Sequence, residues 1–359
     1  MNSVVWEFQP VDTWFFRRGA PFGIRQSVGI RDIAFAPPVS TLQGAVRTAM
    51  ARKQGWTPQH PELWPDVLGT PDSLGAMTLK GPYLSYKTEY LFPSPHHLLR
   101  ADDGLIRLRP GDPVETDMGF KPLPVLERHG KNVATLQNAW ITYGGLVRLL
   151  QGDCPLEDQV LGSGALWRPE ARTGLMINTQ TRTAEQGMLF HTVHSRFTPS
   201  TRVSLEVSGI PEEWHQGIHF VPLGGEGRFA QVTTMTSSRD PIPCLPTFSS
   251  SPSGSDVTVF GLLLTPGIFE NPEYVIREGP LAVSCMTGVV GRVEMQGGWD
   301  MQRQRPRPLR PVVPAGSVWF YHLTRDQWDV MRAMHGKQVG QEQEYGYGQI
   351  VFGIWKEKE

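Results

Sequence analysis

Gly316-Ser317-Val318-Trp319-Phe320-Tyr321, with the segments Arg325 to Met334 and Gln349 to Trp355 behind it, is the stretch of this 359-residue chain on which the fold turns. The first run is dense in branched and aromatic residues and reads as a strand. Trp328 and Met331 fall on one face of a helix, and the run ending at Trp355 reads as a closing strand. Further back, Leu281 to Val293 reads as a long strand, Pro272 to Glu278 as a short helix or turn, and Asp256 to Leu264 as a first strand. The order is β-α-β-β-α-β, the ferredoxin-like arrangement. In it two helices cover one face of a four-stranded antiparallel sheet, and the other face is left for a partner or ligand.

Working outward, the Ser/Pro/Gly-rich stretch Ser249 to Ser255 reads as a linker or mobile loop. The expected domains are therefore 1–240 and 250–359. Val4-Val5-Trp6-Glu7-Phe8 reads as the opening strand of the first. After Pro37-Pro38 a helix capped by Ser40 or Thr41 carries Leu42, Val46, Ala49 and Met50 on one stripe. Arg47 and Arg52 lie off that stripe, toward solvent or a partner. From Pro58 to Arg172 periodicity is poor, and short strands joined by long loops are expected. Gly187 to His194 and Val203 to Val207 read as strands, and Gly224-Gly225-Glu226-Gly227-Arg228 as a turn into a strand over Phe229 to Thr233. The expected class is α+β: two ferredoxin-like domains with antiparallel sheets, helices on one face and long loop insertions.

The length suits two domains. The N-terminus has no basic region followed by an apolar one. The longest apolar run, around Val257 to Leu264, is far short of a membrane span, so a soluble cytoplasmic protein is expected. Cys154, Cys244 and Cys285 are odd in number and widely spaced, which argues against a disulfide framework or a zinc site and for a reducing compartment. The formal net charge is −1, yet 26 of the 34 basic residues are arginine. Its planar fork grips phosphate and stacks on bases, although genome composition produces the same bias.

Gly346-Tyr347-Gly348 precedes a strand rather than a helix, so it is no dinucleotide site. Either a tight turn or a close backbone approach to a phosphate accounts for it. Gly297-Gly298-Trp299-Asp300 lacks the paired carboxylates of a nucleotide cyclase, and the common phosphate-loop, zinc-protease and serine-hydrolase signatures do not occur. No catalysis, metal or cofactor is expected. Arg17, Arg18, Arg25 and Arg31 are interleaved with Trp14, Phe15, Phe16 and Phe22. That mixture suits unstacked RNA bases and phosphates, with a solvated loop over a core as the alternative. Arg303, Arg305, Arg307 and Arg310, stiffened by prolines, form a second basic segment or an exposed linker. His191 and His194 lie near Arg182 and Arg196. Two imidazoles could serve metal-free RNA cleavage, but residues three apart on a strand face opposite ways.

Phe16-Arg17-Arg18-Gly19-Ala20-Pro21-Phe22-Gly23 with Pro37 to Thr48 resembles the opening of the third-subunit family of the CRISPR type III-B Cmr module. Glu185 to Phe190, Leu223 to Arg228, Gly298-Trp299-Asp300, Pro314 to Val318, and Gly346-Tyr347-Gly348 with Gly353-Ile354-Trp355 continue the resemblance in the family's order. It implies a RAMP protein with two ferredoxin-like (RRM-like) domains and no catalysis of its own. Such a subunit sits at the 5′ end of the guide RNA, between the large polymerase-like subunit and the first backbone RAMP subunit. The equivalent type III-A subunit shares the role without the Gly-Trp-Asp block. With the charge and glycine content, the resemblance assigns RNA contact to Arg17, Arg18, Arg25, Arg31, Arg47, Arg182, His194, Arg196, Gly224, Gly225, Gly227 and Arg228. The rival readings are a metal-independent guide-processing ribonuclease and a scaffold that touches only protein.

Overall fold

Val4, Trp6 and Phe8 are buried in the computed structural model, which describes residues 3–17, 33–116, 119–178, 180–237, 240–245 and 257–356. Along the chain run β1 (Val4–Pro10), α1 (Val39–Lys53), β2 (Thr78–Tyr86), and the long pair β3 (Gly104–Thr116) and β4 (Gly119–Leu126). Then come α2 (Tyr143–Leu150), a second long pair β5 (Trp167–Ile177) and β6 (Ala184–Phe197), β7 (Thr201–Ser208), β8 (Phe220–Pro222) and β9 (Phe229–Thr236). The last segment holds β10 (Val257–Leu263), α3 (Pro272–Glu278), β11 (Thr287–Val289), β12 (Val318–Leu323), α4 (Arg325–Arg332) and β13 (Ile350–Ile354). Two compact units form. One comprises Met1–Lys87, Gly164–Ser238 and Met295–Arg310, and the other Thr88–Ser163, Arg239–Glu294 and Pro311–Glu359. One crossing between the units falls at Ser238 and Arg239, while 88–163 pack with the C-terminal segment and 295–310 with the N-terminal one.

In the first unit the strands lie in the order β2-β7-β1-β9-β8, all antiparallel. Taking β1, β2, β7 and β9 as first to fourth, this is 2-3-1-4 with β8 added at the edge. Period-two alternation sends Trp6, Phe8, Val203, Leu205, Val207, Ala230 and Val232 inward. The stripe of α1, Leu42, Val46 and Met50, is fully buried. Its expected cap is corrected: Pro38 is the N-cap residue and no side chain caps it. The second crossover has only a three-residue 3-10 helix, Glu212–Trp214, behind which His215 accepts a bond from Trp6 Nε1 (2.8 Å).

The second unit has the order β11-β12-β10-β13, the same 2-3-1-4, and the β-α-β-β-α-β succession expected for the last hundred residues. α3 starts at Asn271 and Pro272, and α4 at a capping box between Thr324 and Gln327. Trp319, Tyr321, Phe352, Trp328 and Met331 share one core. Two expectations fail here. The strand read over Leu281 to Val293 is only Thr287–Val289, and the second sheet face is not open. Phe260 and Phe320 are fully buried against the ring of His97 (5.3 and 5.7 Å), which the 88–163 segment supplies. That segment is also more regular than expected, holding the β3–β4 arm and α2, whose Leu146, Leu149 and Leu150 are buried.

Candidate nucleic-acid interface

β5 and β6 pair in a register that sets Arg168 opposite Arg196, Glu170 opposite His194 and Arg172 opposite Thr192 on one face. The other face carries Trp167 against Phe197 and Thr173 against His191. The backbone of Trp14 bridges to Ser195, so Asp12, just after β1, comes down on the first face. Arg172 Nη2 donates to Asp12 Oδ2 (2.8 Å) and its Nε to Glu170 Oε1 (2.8 Å). Arg196 Nη2 donates to Asp12 Oδ1 (3.0 Å) and its Nε to Glu170. Arg228, at the end of the β8–β9 hairpin, donates from Nη1 to Asp12 Oδ2 (3.3 Å). Three guanidinium forks therefore converge on one carboxylate from two separate hairpins.

Hydrogen bonds from Arg172, then Arg196, hold Asp12 below the usual carboxylate range, and those from Arg196, then Arg172, do the same to Glu170. Both arginines are raised in return, so the network stays fully charged. Each guanidinium offers five N–H donors, more than these carboxylates accept. Arg196 remains 47% exposed, Arg172 29% and Arg228 22%. The Nε–H of Arg228 is buried and has no partner among the described residues, so it is not one of the donors open to solvent. The carboxylates act as a jig: they fix the forks while leaving outward donors for a further oxyanion.

The hairpin joining β8 to β9 is held on Phe15, whose carbonyl accepts from Gly225 N (2.9 Å). Gly224 has φ +97° and a Cβ there would lie 3.1 Å from that carbonyl; one at Gly225 would lie 3.0 Å from the Phe15 ring. Gly224 is thus favoured by its left-handed backbone and by packing on the protein's own chain, while a side chain at Gly225 would have to push the Phe15 ring aside by a few tenths of an ångström. Gly227 (φ +65°) has open space around it and is exposed. Beneath the hairpin the fully buried His194 ring stacks on Phe15 (5.2 Å). Glu226 can only accept, so His194 Nε2–H donates to it (3.2 Å) and Nδ1 accepts from Thr13 Oγ1 (3.1 Å). Burial holds His194 below its ordinary range, with the charge of Arg172 adding to this and Glu226 opposing it.

The structure thus brings Arg196, Arg228, Gly224, Gly225 and Gly227 together around His194. Two expected contacts are corrected. His194 is a buried support under the hairpin, with no free surface. Arg47 points inward, 5% exposed, because α1 turns it over Trp64 and its Nη2 donates to the carbonyls of Thr70 (2.7 Å) and Ser73 (3.2 Å). Arg182 is exposed in the β5–β6 turn, at φ +56°. Arg17 pairs through its backbone with Ile33, while Arg18, Arg25 and Arg31, like the linker Ser249 to Ser255, lie outside the described residues. His191 is exposed and bonds Thr173 Oγ1 (2.9 Å), on the face opposite His194. Gly348 is a tight turn, where a Cβ would meet the carbonyl of Val339 at 1.9 Å. In the 303–310 segment Arg303 is paired to Asp72 (2.8 Å) and Asp300 (3.1 Å).

Sequence reasoning missed Asp12, Glu170 and Arg172. The Arg168-x-Glu170-x-Arg172 alternation was a strand signal, but its alignment with Arg196 depends on the register of the hairpin.

The family described as "CRISPR-associated protein (Cas_Cmr3)" matches residues 6–355. Nothing among the curated proteins matches the sequence. Of solved structures, a type III-B Cmr-beta bound to cognate target RNA is similar at 14% identity over 97% of this chain and 96% of that one, with a TM-score of 0.53. A second, bound to cognate target RNA and AMPPnP, is similar at 15% over 92% and 88%, with a TM-score of 0.50. A Csm3-Csm4 subcomplex of type III-A gives 11% over 99% and 100%, with a TM-score of 0.45. For the two Cmr-beta structures the likeness, at these identities, is one of fold.

Proposed function

This chain belongs to the Cas_Cmr3 family of CRISPR-associated proteins, and on that premise we propose that it is the non-catalytic subunit of a type III-B RNA-guided effector complex that holds the 5′ tag of the guide RNA. In the same reading it bridges the large polymerase-like subunit to the backbone RAMP subunit, in the cytoplasm. The observation that carries the reading is the convergence of Arg172, Arg196 and Arg228 on Asp12 beside the glycine hairpin. Forks held by carboxylates with donors left over are suited to a phosphodiester backbone, where they fix register without reading sequence. The 14–31 segment, through Arg17, Arg18, Arg25 and Arg31, supplies further phosphate contacts next to this cluster in the chain. Phe15 and Phe16 tie the described end of that segment under the hairpin.

A ribonuclease using His191 and His194 is disfavoured by geometry. A general acid and base must converge on one phosphodiester, and these imidazoles lie on opposite faces of β6 with one of them buried. The test is to assemble the chain with its partner subunits, recover the bound RNA and sequence it from the 5′ end. A common 5′ tag, protected in complexes with the chain and lost without it, is expected. Random 5′ ends, or an isolated chain that cleaves guide precursor above a His191→Ala/His194→Ala control, would overturn the reading.

A further inference from the structure

The hairpin whose glycine turn carries Arg228 also carries two exposed phenylalanines, one on each strand. Val221, Ala230 and Val232 point into the core, so alternation turns Phe220, Pro222, Phe229 and Gln231 to the opposite face. Phe220 is 61% exposed and Phe229 48%. Phe220 pairs with Gln231 and Pro222 with Phe229, which makes the two rings diagonal neighbours, about 7–8 Å apart at their Cα atoms. Gln231 pairs in turn with Gln9 of β1. Beyond it Gln9 Nε2 and Arg202 Nη1 both donate to the carbonyl of Pro199 (3.2 and 2.6 Å). From the sheet edge inward one row therefore reads ring, amide, amide, guanidinium.

We propose that this outer face of β8 and β9 is a stacking platform for the bases of single-stranded RNA, with Phe220 and Phe229 each taking one unstacked base. It deepens the reading of the chain as RNA-binding and rests on it. Isolated exposed apolar residues are ordinary on protein surfaces. Two neighbouring rings on one sheet face, bordered by amides that can meet base edges and by the Arg202 guanidinium at the end of the row, are the combination that single-stranded RNA needs. A protein partner would call for a wider apolar centre with a polar rim. Here the apolar area is two rings with Pro222 and Val11, and amides begin at the next position.

The test uses the full chain and a single-stranded RNA of about ten nucleotides, substituted with 2-aminopurine, whose fluorescence is quenched on stacking. Both phenylalanines are exposed, so Phe220→Ala and Phe229→Ala leave the core intact. Each is expected to weaken binding by roughly 5-fold or more and to relieve quenching while leaving the salt slope unchanged, because no phosphate contact is lost. Phe220→Trp and Phe229→Trp are expected to keep both signals. Unchanged affinity and quenching in the double alanine variant, with wild type still binding, would overturn the platform and leave the arginine site standing. So would loss of partner-subunit association with RNA affinity intact. Failure of the wild-type chain to bind RNA at all, alone or assembled, would overturn the underlying reading as well.

Discussion

Replacing Arg172, Arg196 and Arg228 together by alanine removes the three forks that meet at Asp12 while leaving the core strands untouched, since each is between 22% and 47% exposed. If each fork neutralises one phosphate, the log–log slope of RNA affinity against salt falls by about 0.7 per contact for a single strand, or about 2 for all three. Raising salt from 50 to 200 mM would then weaken the wild-type complex by roughly 20-fold more than the variant's. The companion variant Asp12→Asn removes the negative charge on which the forks converge. With three carboxylates, Asp12, Glu170 and Glu226, set against three arginines, the cluster is formally neutral. Losing one carboxylate leaves it net positive, so tighter RNA binding at low salt is expected even though the forks are held less firmly. The assay is fluorescence anisotropy of labelled single-stranded RNA over a salt series, with Arg277→Ala/Arg332→Ala as a control that removes two arginines from the other unit. Equal slopes for wild type, triple variant and control would show that the cluster only holds the hairpins together.

The 14–31 segment is expected to add to the same slope. Arg17→Ala/Arg18→Ala/Arg25→Ala should flatten it, and the corresponding lysine variants should restore charge but only part of the affinity, because the planar fork is lost; lysine variants equal to wild type would refute a fork-specific role. In the second unit the fully buried Arg107 donates from Nε and Nη2 to Glu127 (3.0 and 2.8 Å) and from Nη1 to Gly152 O (2.9 Å), and stacks on Trp355 at 4.4 Å. Arg107→Met should destabilise the unit by about 3–5 kcal/mol, because Glu127 is left as an unpaired, largely buried charge, and Arg107→Met/Glu127→Met should cost less. Hydrogen exchange of the β3 and β4 amides measures both, and a double variant worse than the single one would contradict the account. Burial, with the charges of Arg107 and His96 adding to it, pushes His97 down to about 3. The unfolded chain binds that proton below about pH 6.5 and the folded chain does not until about pH 3, so stability is full above the window and is lost as pH falls through it, by about 1.4 kcal/mol per unit. Thermal melts at pH 7 and pH 5 should separate wild type from His97→Phe by about 2 kcal/mol, and parallel pH dependence in the two would count against this.

What the sequence determined by itself was local. The β-α-β-β-α-β succession of residues 257–354, the α1 stripe of Leu42, Val46 and Met50, and the glycine hairpin before Phe229 are all set by periodicity, caps and turn residues within a few positions of one another. Order-preserving glycine and arginine blocks also carried the family. Between residues 58 and 172 the local signal failed for a physical reason. α2 opens on Gly144-Gly145, which hides its three buried leucines, and prolines at 110, 113, 122 and 124 interrupt an arm whose pairing is nonetheless continuous enough to form β3 and β4. Tertiary structure alone decided that the second face of the C-terminal sheet is filled by His97, because that contact joins residues more than 150 positions apart in the chain. It also decided which arginines are left exposed. Arg47 and Arg196 are equally basic in the sequence, but a helix turn buries one against carbonyls, while a hairpin register sets the other beside Arg172 above Asp12. Register and burial depend on pairings distant in sequence, and a charge's availability to a ligand depends on both.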